Sequence, residues 1–539
     1  RLWLVLLALG IGLSSLQIIP TFELIVDSAR SSQPYAFLVE NLLLQPKQLV
    51  GFISPDFFGN PATRNYLLTN SYPGNALYIG LIPFIFSLFS LVLFRKNSLI
   101  KFFSLTSLII ILFIVRNPIT EILYKIQIPF FSTSSPKNAI FLLSFALSIL
   151  AGYGLEYWSK DKGQLFKKIL FIFGGIFVLC WLLVIATHPA FSSKNFLYST
   201  ALFGVLSVLI LIGKAIGKRT IMAVLILITV LDLFYFLQKF NPFVSPKLVF
   251  PPAQIINFLQ QEGGIDRFWG YDTARIEANF ATQHQIFSPD GYDPLYPRWY
   301  GEFIQSSRDG KIATQFTNQT RSDANIVPGF GQEDLAKNLY RLRMLDILGV
   351  KYVLDRVESG TSEITFPTDR FKIIYQDSIW RVFENKRRAP RAFLTADYKI
   401  FNNKEEFERL FFDPNFDVAK TLLLEQVPAE NLAVDEMSQA KVISYSPNKL
   451  LLAVKSRTSQ LLFLSDAYYP GWKAFIDGVE KKIYRADYAF RAVVVPSGEH
   501  QVKFIYEPQS FSLGVKTSII SLVLLLVLAF WRRRKTYEG

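Results

Sequence analysis

The sequence predicts a polytopic α-helical membrane protein with an extracytoplasmic mixed α/β region that ends in a β-sandwich, followed by a C-terminal transmembrane helix. Three observations predict it. Of the 539 residues 51% are hydrophobic, and they come in blocks that a soluble core cannot use. Every second connection between the blocks is short and basic, as membrane topology signals are. Between the last two blocks the chain turns into short alternating runs bounded by turn residues.

The hydrocarbon layer takes about 20 apolar residues to cross. Residues 2–19, 76–94, 99–115, 139–157, 169–187, 196–212, 221–237 and 511–531 meet or approach that length. The basic connections are Arg95, Lys96 and Lys101; Lys160, Lys162, Lys167 and Lys168; Lys214, Lys218 and Arg219; and Arg532, Arg533, Arg534 and Lys535. The positive-inside rule puts these four in the cytoplasm, with the C-terminus. Residues 20–75, 116–138, 188–195 and 238–510 then face outward. The chain opens on Arg1 rather than Met and enters a span at once, which predicts that its start has been cut away. A signal peptide would carry a shorter apolar region, about 7 to 15 residues, behind a charged one.

The domain reading is a helical region of seven spans over 1–237 with an outer loop at 20–75, a mixed α/β region over 238–448, a β-sandwich over 449–510, and a terminal helix with a basic tail over 511–539. "RLRMLDILGVKYVLDRV" predicts a helix and then a strand, and "KEEFERLFF" another helix. In "HQVKFIYE", Val502, Phe504 and Tyr506 share one strand face. Asp477-Gly478 reads as a hairpin turn. In "SDAYYPGWKAFIDG" an aspartate, Tyr468, Tyr469 and Trp472 at a bend suit a sugar ring, whose C–H face stacks on aromatic rings; packing of the sandwich core is the other reading.

The net charge of +14 is explained by basic residues beside apolar blocks, which argues against a nucleic-acid partner. Cys180 is the only cysteine and lies in an apolar run, so the chain has no disulfide framework. His188, His284 and His500 are too scattered for a zinc motif, and no P-loop is present.

"AYYPGWKAFIDGVEKKIYRADYAFRAVVVPSGEHQVKFIYEPQSF" before a terminal span resembles the end of the bacterial YfhO-type membrane proteins. "LDILGVKYVL", "FENKRRAPRAFL", "SPDGYDPLYPRWY" and "SPDFFGN" with "YIGLIPFIFSL" extend the resemblance over nearly the whole chain. The resemblance implies a GT-C-like helical bundle in the bacterial cytoplasmic membrane. It implies a glycosyltransferase that takes a sugar from a polyprenyl-phosphate donor and moves it to a cell-envelope glycopolymer such as a teichoic acid. A non-enzymatic envelope assembly protein or a lipid-linked sugar translocase is the alternative, and membrane lipid is a partner in either case.

Such a transfer needs a carboxylate as general base, a cation for the donor phosphate and often a divalent metal on the leaving group. The resemblance puts the carboxylate in a first outer loop upstream of this chain. Within it, the candidates are Glu23, Asp56 and Asp232, the last about a turn and a half from the outer end of its span. Arg30 and Lys137 are candidates for the donor phosphate. Relatives tend to carry Pro-x-Arg where this chain has Pro136-Lys137-Asn138, so the lysine is the cation left there. Tyr292 and Asp293 in "GYDPLYPRWY" are candidates for acceptor contact, or else simply form a turn.

Overall fold

A computed structural model describes residues 2–30, 35–68, 71–126, 135–160, 164–187, 190–241, 243–317, 320 and 322–537. Lys162, residues 127–134 of the 116–138 connection and His188 lie outside them. The chain divides into two compact units, Ser32–Pro251 and the combination of Arg1–Ser31 with Pro252–Gly539.

The Ser32–Pro251 unit is a helical bundle. Pro136–Lys160, Gln164–Ala186, Ser193–Ile212 and Lys218–Phe240 are long and apolar enough to cross a membrane. Phe171 on the second is 85% exposed, as suits a lipid-facing side chain. Two expected spans are shorter. The 76–94 stretch is helical only over Leu81–Leu93, because Gly80 takes φ +94° and starts the helix late. At 1.5 Å per residue it reaches about 20 Å, short of the ~30 Å hydrocarbon layer. Ser98–Ile114 begins at Asn97, whose side chain accepts the Leu99 and Ile100 amides. An aromatic core ties the bundle together, with Phe86 stacked on Phe166 at 4.6 Å and Phe177 on Phe203 at 4.7 Å.

The other unit carries the Gln509–Trp531 span and the expected 2–19 span. The latter is not one straight helix, since Leu4–Leu13 and Ser15–Val26 meet at 68°. A break in an apolar helix frees backbone groups that lipid cannot satisfy. Ser518 satisfies them here: its hydroxyl donates to the Leu13 and Gly12 carbonyls at 2.9 and 3.3 Å and accepts the Leu16 amide at 3.0 Å. Ser518→Ala is therefore expected to cost about 1–3 kcal/mol. It should lower the melting temperature of the detergent-solubilised chain, and an unchanged melting curve would show that the break needs no partner.

Among the described residues a two-stranded pair, 291–292 with 323–324, and three larger sheets follow. The first of the three has four strands in the order 267–270, 350–356, 380–385, 371–376, the first pair parallel. Helices Gln254–Glu262 and Leu339–Ile347 supply buried apolar residues around it, including Ile255, Leu259, Met344 and Leu345. The other two form the sandwich. One has five strands, 439–446, 449–456, 498–506, 472–476 and 479–481; the other has six, 392–395, 460–467, 490–495, 483–486, 421–424 and 397–400. The sandwich therefore draws on residues well before 449. Val502 and Phe504 are fully buried between the sheets with Leu462, Leu464 and Val493. The far side of the six-stranded sheet packs Phe463 and Val494 against Phe303, Phe407 and Phe411, so strand 460–467 is apolar on both faces. Asp477 and Gly478, with φ of 48° and 88°, make the predicted hairpin between Ile476 and Val479.

Asp487, at the turn between strands 483–486 and 490–495, is fully buried; one carboxyl oxygen accepts the Leu423 amide at 2.8 Å and the other has no partner among the described residues. Burial pushes its acid up to about 8, against a partial offset from the Leu423 amide. A carboxyl raised in the folded state supports stability below its unfolded value and loses it as pH rises through the folded one. Asp487→Asn keeps an acceptor for Leu423, so its melting temperature should gain on the parent between pH 4 and pH 8. A constant difference across that range would rule out titration of this group.

Candidate functional site

Asp56 follows a short 3₁₀ segment, Pro46–Phe52, and is 6% exposed. One oxygen pairs with Lys239 at 2.5 Å, and the other accepts from Tyr72 Oη at 2.7 Å and Asn60 Nδ2 at 3.0 Å. Asn195 donates to the Asp56 backbone carbonyl at 2.5 Å. Asp232, on the Lys218–Phe240 helix, is 4% exposed and accepts from Tyr78 Oη at 2.6 Å and Tyr198 Oη at 3.0 Å. Lys137, in the short 3₁₀ turn Pro136–Ala139, is also 4% exposed, and its amine donates to Asn75 Oδ1 at 3.2 Å. Among the described residues no carboxylate lies within ion-pair distance of Lys137.

The three candidates converge through their partners. Tyr72, Tyr78 and Asn75 line one narrow pocket with Gln48, Tyr66 and Phe236, about 30 Å³, room for one or two waters. Gly74 lies against the Lys137 side chain, where a Cβ would meet Cε at 3.7 Å. The pocket is thus lined by phenols that hydrogen-bond the two carboxylates and by an amide that accepts from the buried lysine. Among the described residues no group of three His, Cys, Asp or Glu side chains could hold a metal ion.

Glu23 and Arg30 belong to the other unit. Glu23 lies on the Ser15–Val26 helix, where its charge acts on Tyr469 and Tyr506. Arg30 donates to Ser322 Oγ at 2.7 Å and feels Tyr292 and Asp293, while burial lowers its own basicity. Asp293 caps a turn by accepting the Leu295 amide at 2.7 Å, and Tyr292 is half exposed.

The aromatic bend is divided between two cavities. Tyr468 meets Trp299 edge-on at 5.9 Å, beside a groove of about 590 Å³ lined by Trp299, Glu302, Lys404, Arg485 and Tyr488. Tyr469 and Trp472 line a second cavity, of about 530 Å³, together with Arg267, Arg391, Arg491, Asp466 and Asp290. The guanidinium of Arg491 covers the Trp472 ring at 4.0 Å. Both readings of Trp472 meet here, since it packs against the sandwich core and also lines a cavity.

These features sit in a chain that a family model described as "Bacterial membrane protein YfhO" matches over residues 1–408 and 424–518. The chain belongs to the YfhO family of bacterial membrane proteins and, with its long apolar helices, is a multi-pass membrane protein with a β domain. Among curated proteins it is similar to "Uncharacterized protein YfhO" of Bacillus subtilis (strain 168), 32% identical over 101 residues. That match takes in 19% of this chain and 11% of the relative's length. No solved structure matches it.

Proposed function

We propose that the chain works as a membrane glycosyltransferase, moving a sugar from a polyprenyl-phosphate donor to a cell-envelope glycopolymer at the outer face of the membrane. The observation that carries this reading is Lys137, a buried cation with an amide as its partner, beside a pocket lined by Tyr72 and Tyr78, the hydrogen-bond donors to Asp56 and Asp232. A cation buried without a counter-ion is costly, and a donor phosphate would supply one. Lys137 holds the phosphate as a point charge, and the carboxylates behind Tyr72 and Tyr78 are placed to take the acceptor's proton. The pocket as it stands holds one or two waters, less than a headgroup. In this reading residues 238–510 lie outside the membrane, and the basic connections stay in the cytoplasm.

The test is Lys137→Met. Removing an unpaired buried charge should leave the melting temperature equal or higher. Capture of a polyprenyl-phosphate hexose in reconstituted membranes should weaken by about 10-fold or more, as loss of a charged hydrogen bond implies. Unchanged capture in a folded variant would remove Lys137 from the site. One observation favours a second reading, a non-enzymatic assembly protein: each carboxylate already has its hydrogen bonds met, as a fastener between helices would.

A further inference from the structure

The second cavity of the β domain holds more positive charge than its own residues balance. Arg267 leaves strand 267–270, Arg391 precedes strand 392–395 and Arg491 lies on strand 490–495, and all three surround Asp466 at the end of strand 460–467. Three guanidiniums thus face one carboxylate, an excess of two positive charges in residues that are each less than 10% exposed. Burial alone would raise the acid of Asp466, but Arg391, Arg267 and Arg491 outweigh it and hold it below the usual carboxylate range. Asp290, the other acid of the cavity, accepts the Ile326 amide, and its charged neighbours are Arg275 and Glu277 rather than the trio. Burial pushes Asp290 up to about 7, which limits what it contributes against the trio. Tyr300, Tyr445, Tyr469 and Tyr506 complete the titratable lining and are neutral in the ordinary pH range.

The three arginines are not equivalent. Arg267 gives its donors to the Leu348 and Ser465 carbonyls, to Ser465 Oγ and to Asp466 Oδ1, at 2.7 to 2.9 Å. Arg391 is held by Asp466 Oδ1, the Ile265 carbonyl and Tyr445 Oη, and is flanked by the Phe287 and Tyr445 rings at 4.7 and 4.2 Å. Arg491 has long contacts only, Nε to the Asp466 carbonyl at 3.4 Å and Nη2 to Asp466 Oδ2 at 3.5 Å. Its Nη1 is buried and has no acceptor among the described residues. Two of the trio are braces, and the third is a charged donor with long polar contacts, lying over the Trp472 ring at 4.0 Å and near that of Phe504 at 5.4 Å.

We propose that this cavity binds a saccharide bearing an oxyanion, with the phosphate or carboxylate taken by Arg491 and the sugar against Trp472 and Tyr469. Capture needs only a turn of the guanidinium on the indole face. A planar fork suits a two-oxygen group, and the flanking aromatics suit a ring with an apolar C–H face. The exposed rim of Ser446, Pro447 and Asn448 leaves the cavity open to a polymer segment. The inference does not depend on the transferase reading, since the chemistry of the bundle plays no part in it.

The experiment uses the full chain in nanodiscs of phosphatidylcholine, with binding read by calorimetry and by tryptophan fluorescence. Glucose 1-phosphate and glucuronate should bind, inorganic phosphate more weakly and glucose at least 10-fold more weakly. Discs containing phosphatidylglycerol should not compete; if they do, a lipid headgroup fills the site and the saccharide proposal falls. Arg491→Gln should lower affinity at least 10-fold, and Trp472→Phe should remove the fluorescence response while keeping calorimetric heat. Should Arg491→Gln fail to fold, Asn448→Asp at the exposed rim adds a repelling charge and should weaken the anionic sugars several-fold without touching the arginines. Equal binding of glucose and glucose 1-phosphate, or full affinity in folded Arg491→Gln, overturns the proposal.

Discussion

Replacing Gly154 by leucine is expected to prevent the helical unit from folding. A Cβ at Gly154 would lie 2.0 Å from the Phe86 carbonyl oxygen and 2.8 Å from its carbon. Both are backbone atoms of a helix that Phe166 and Trp158 hold in place, with Phe86 stacked on Phe166 at 4.6 Å and edge-on to Trp158 at 6.1 Å. No side-chain rotation can relieve such a contact, so the two helices must separate. Small residues let membrane helices approach this closely, and packing at that distance is a main source of their association. Gly152→Leu is the control: it sits on the same helix, and a Cβ there meets nothing within 4 Å. Membrane-inserted yield and elution as a single species should collapse for Gly154→Leu and stay near the parent for Gly152→Leu. Parent-like behaviour of the first would mean that the helices are not packed this way.

The contrast between these two glycines also shows what the sequence can convey. "LAGYGLEYW" has both, two residues apart, and nothing local tells which of them meets another helix. Length and hydropathy made the long spans legible because lipid selects on those alone. They did not reveal the break at Ser14, whose freed backbone groups are met by a serine some 500 positions away at Ser518. The alternation of Val502, Phe504 and Tyr506 was legible because that strand has one buried face, whereas the sandwich boundary was not, since strands 392–395, 397–400 and 421–424 join through pairing partners far along the chain. The arginine trio left one signal in the sequence: Asp466 is a charge in an otherwise apolar run, "LLFLSDA", and a buried acid demands cations. Which cations answered, at 267, 391 and 491, is set by tertiary pairing. Likewise Asp56 and Asp232 were visible as acids, but Lys239, Tyr72, Tyr78 and Tyr198 were not visible as their partners.

That pairing supplies the decisive test of what Asp56 does. Asp56→Asn leaves Lys239, 21% exposed, opposite an amide, and should cost about 1–3 kcal/mol whether Asp56 is a base or a fastener. Activity of the single variant therefore cannot separate the two roles. Exchanging the pair, Asp56→Lys with Lys239→Asp, restores the ion pair across the same gap, so melting temperature and membrane yield should return most of the way to the parent. The carboxylate, however, then starts from the Lys218–Phe240 helix and no longer lies behind Tyr72. If Asp56 is the general base, the exchanged protein folds yet transfers sugar from a polyprenyl-phosphate donor about 10² to 10⁴-fold more slowly, because proton transfer depends on hydrogen-bond reach to the acceptor. If the pair is a fastener, whatever the parent does returns together with stability. Asp232→Asn, whose oxygen accepts from one of Tyr78 and Tyr198 while its amide N–H donates to the hydroxyl oxygen of the other, serves as the reference: a loss there as large as in the exchanged protein would move the base to Asp232, and a small one leaves it at Asp56.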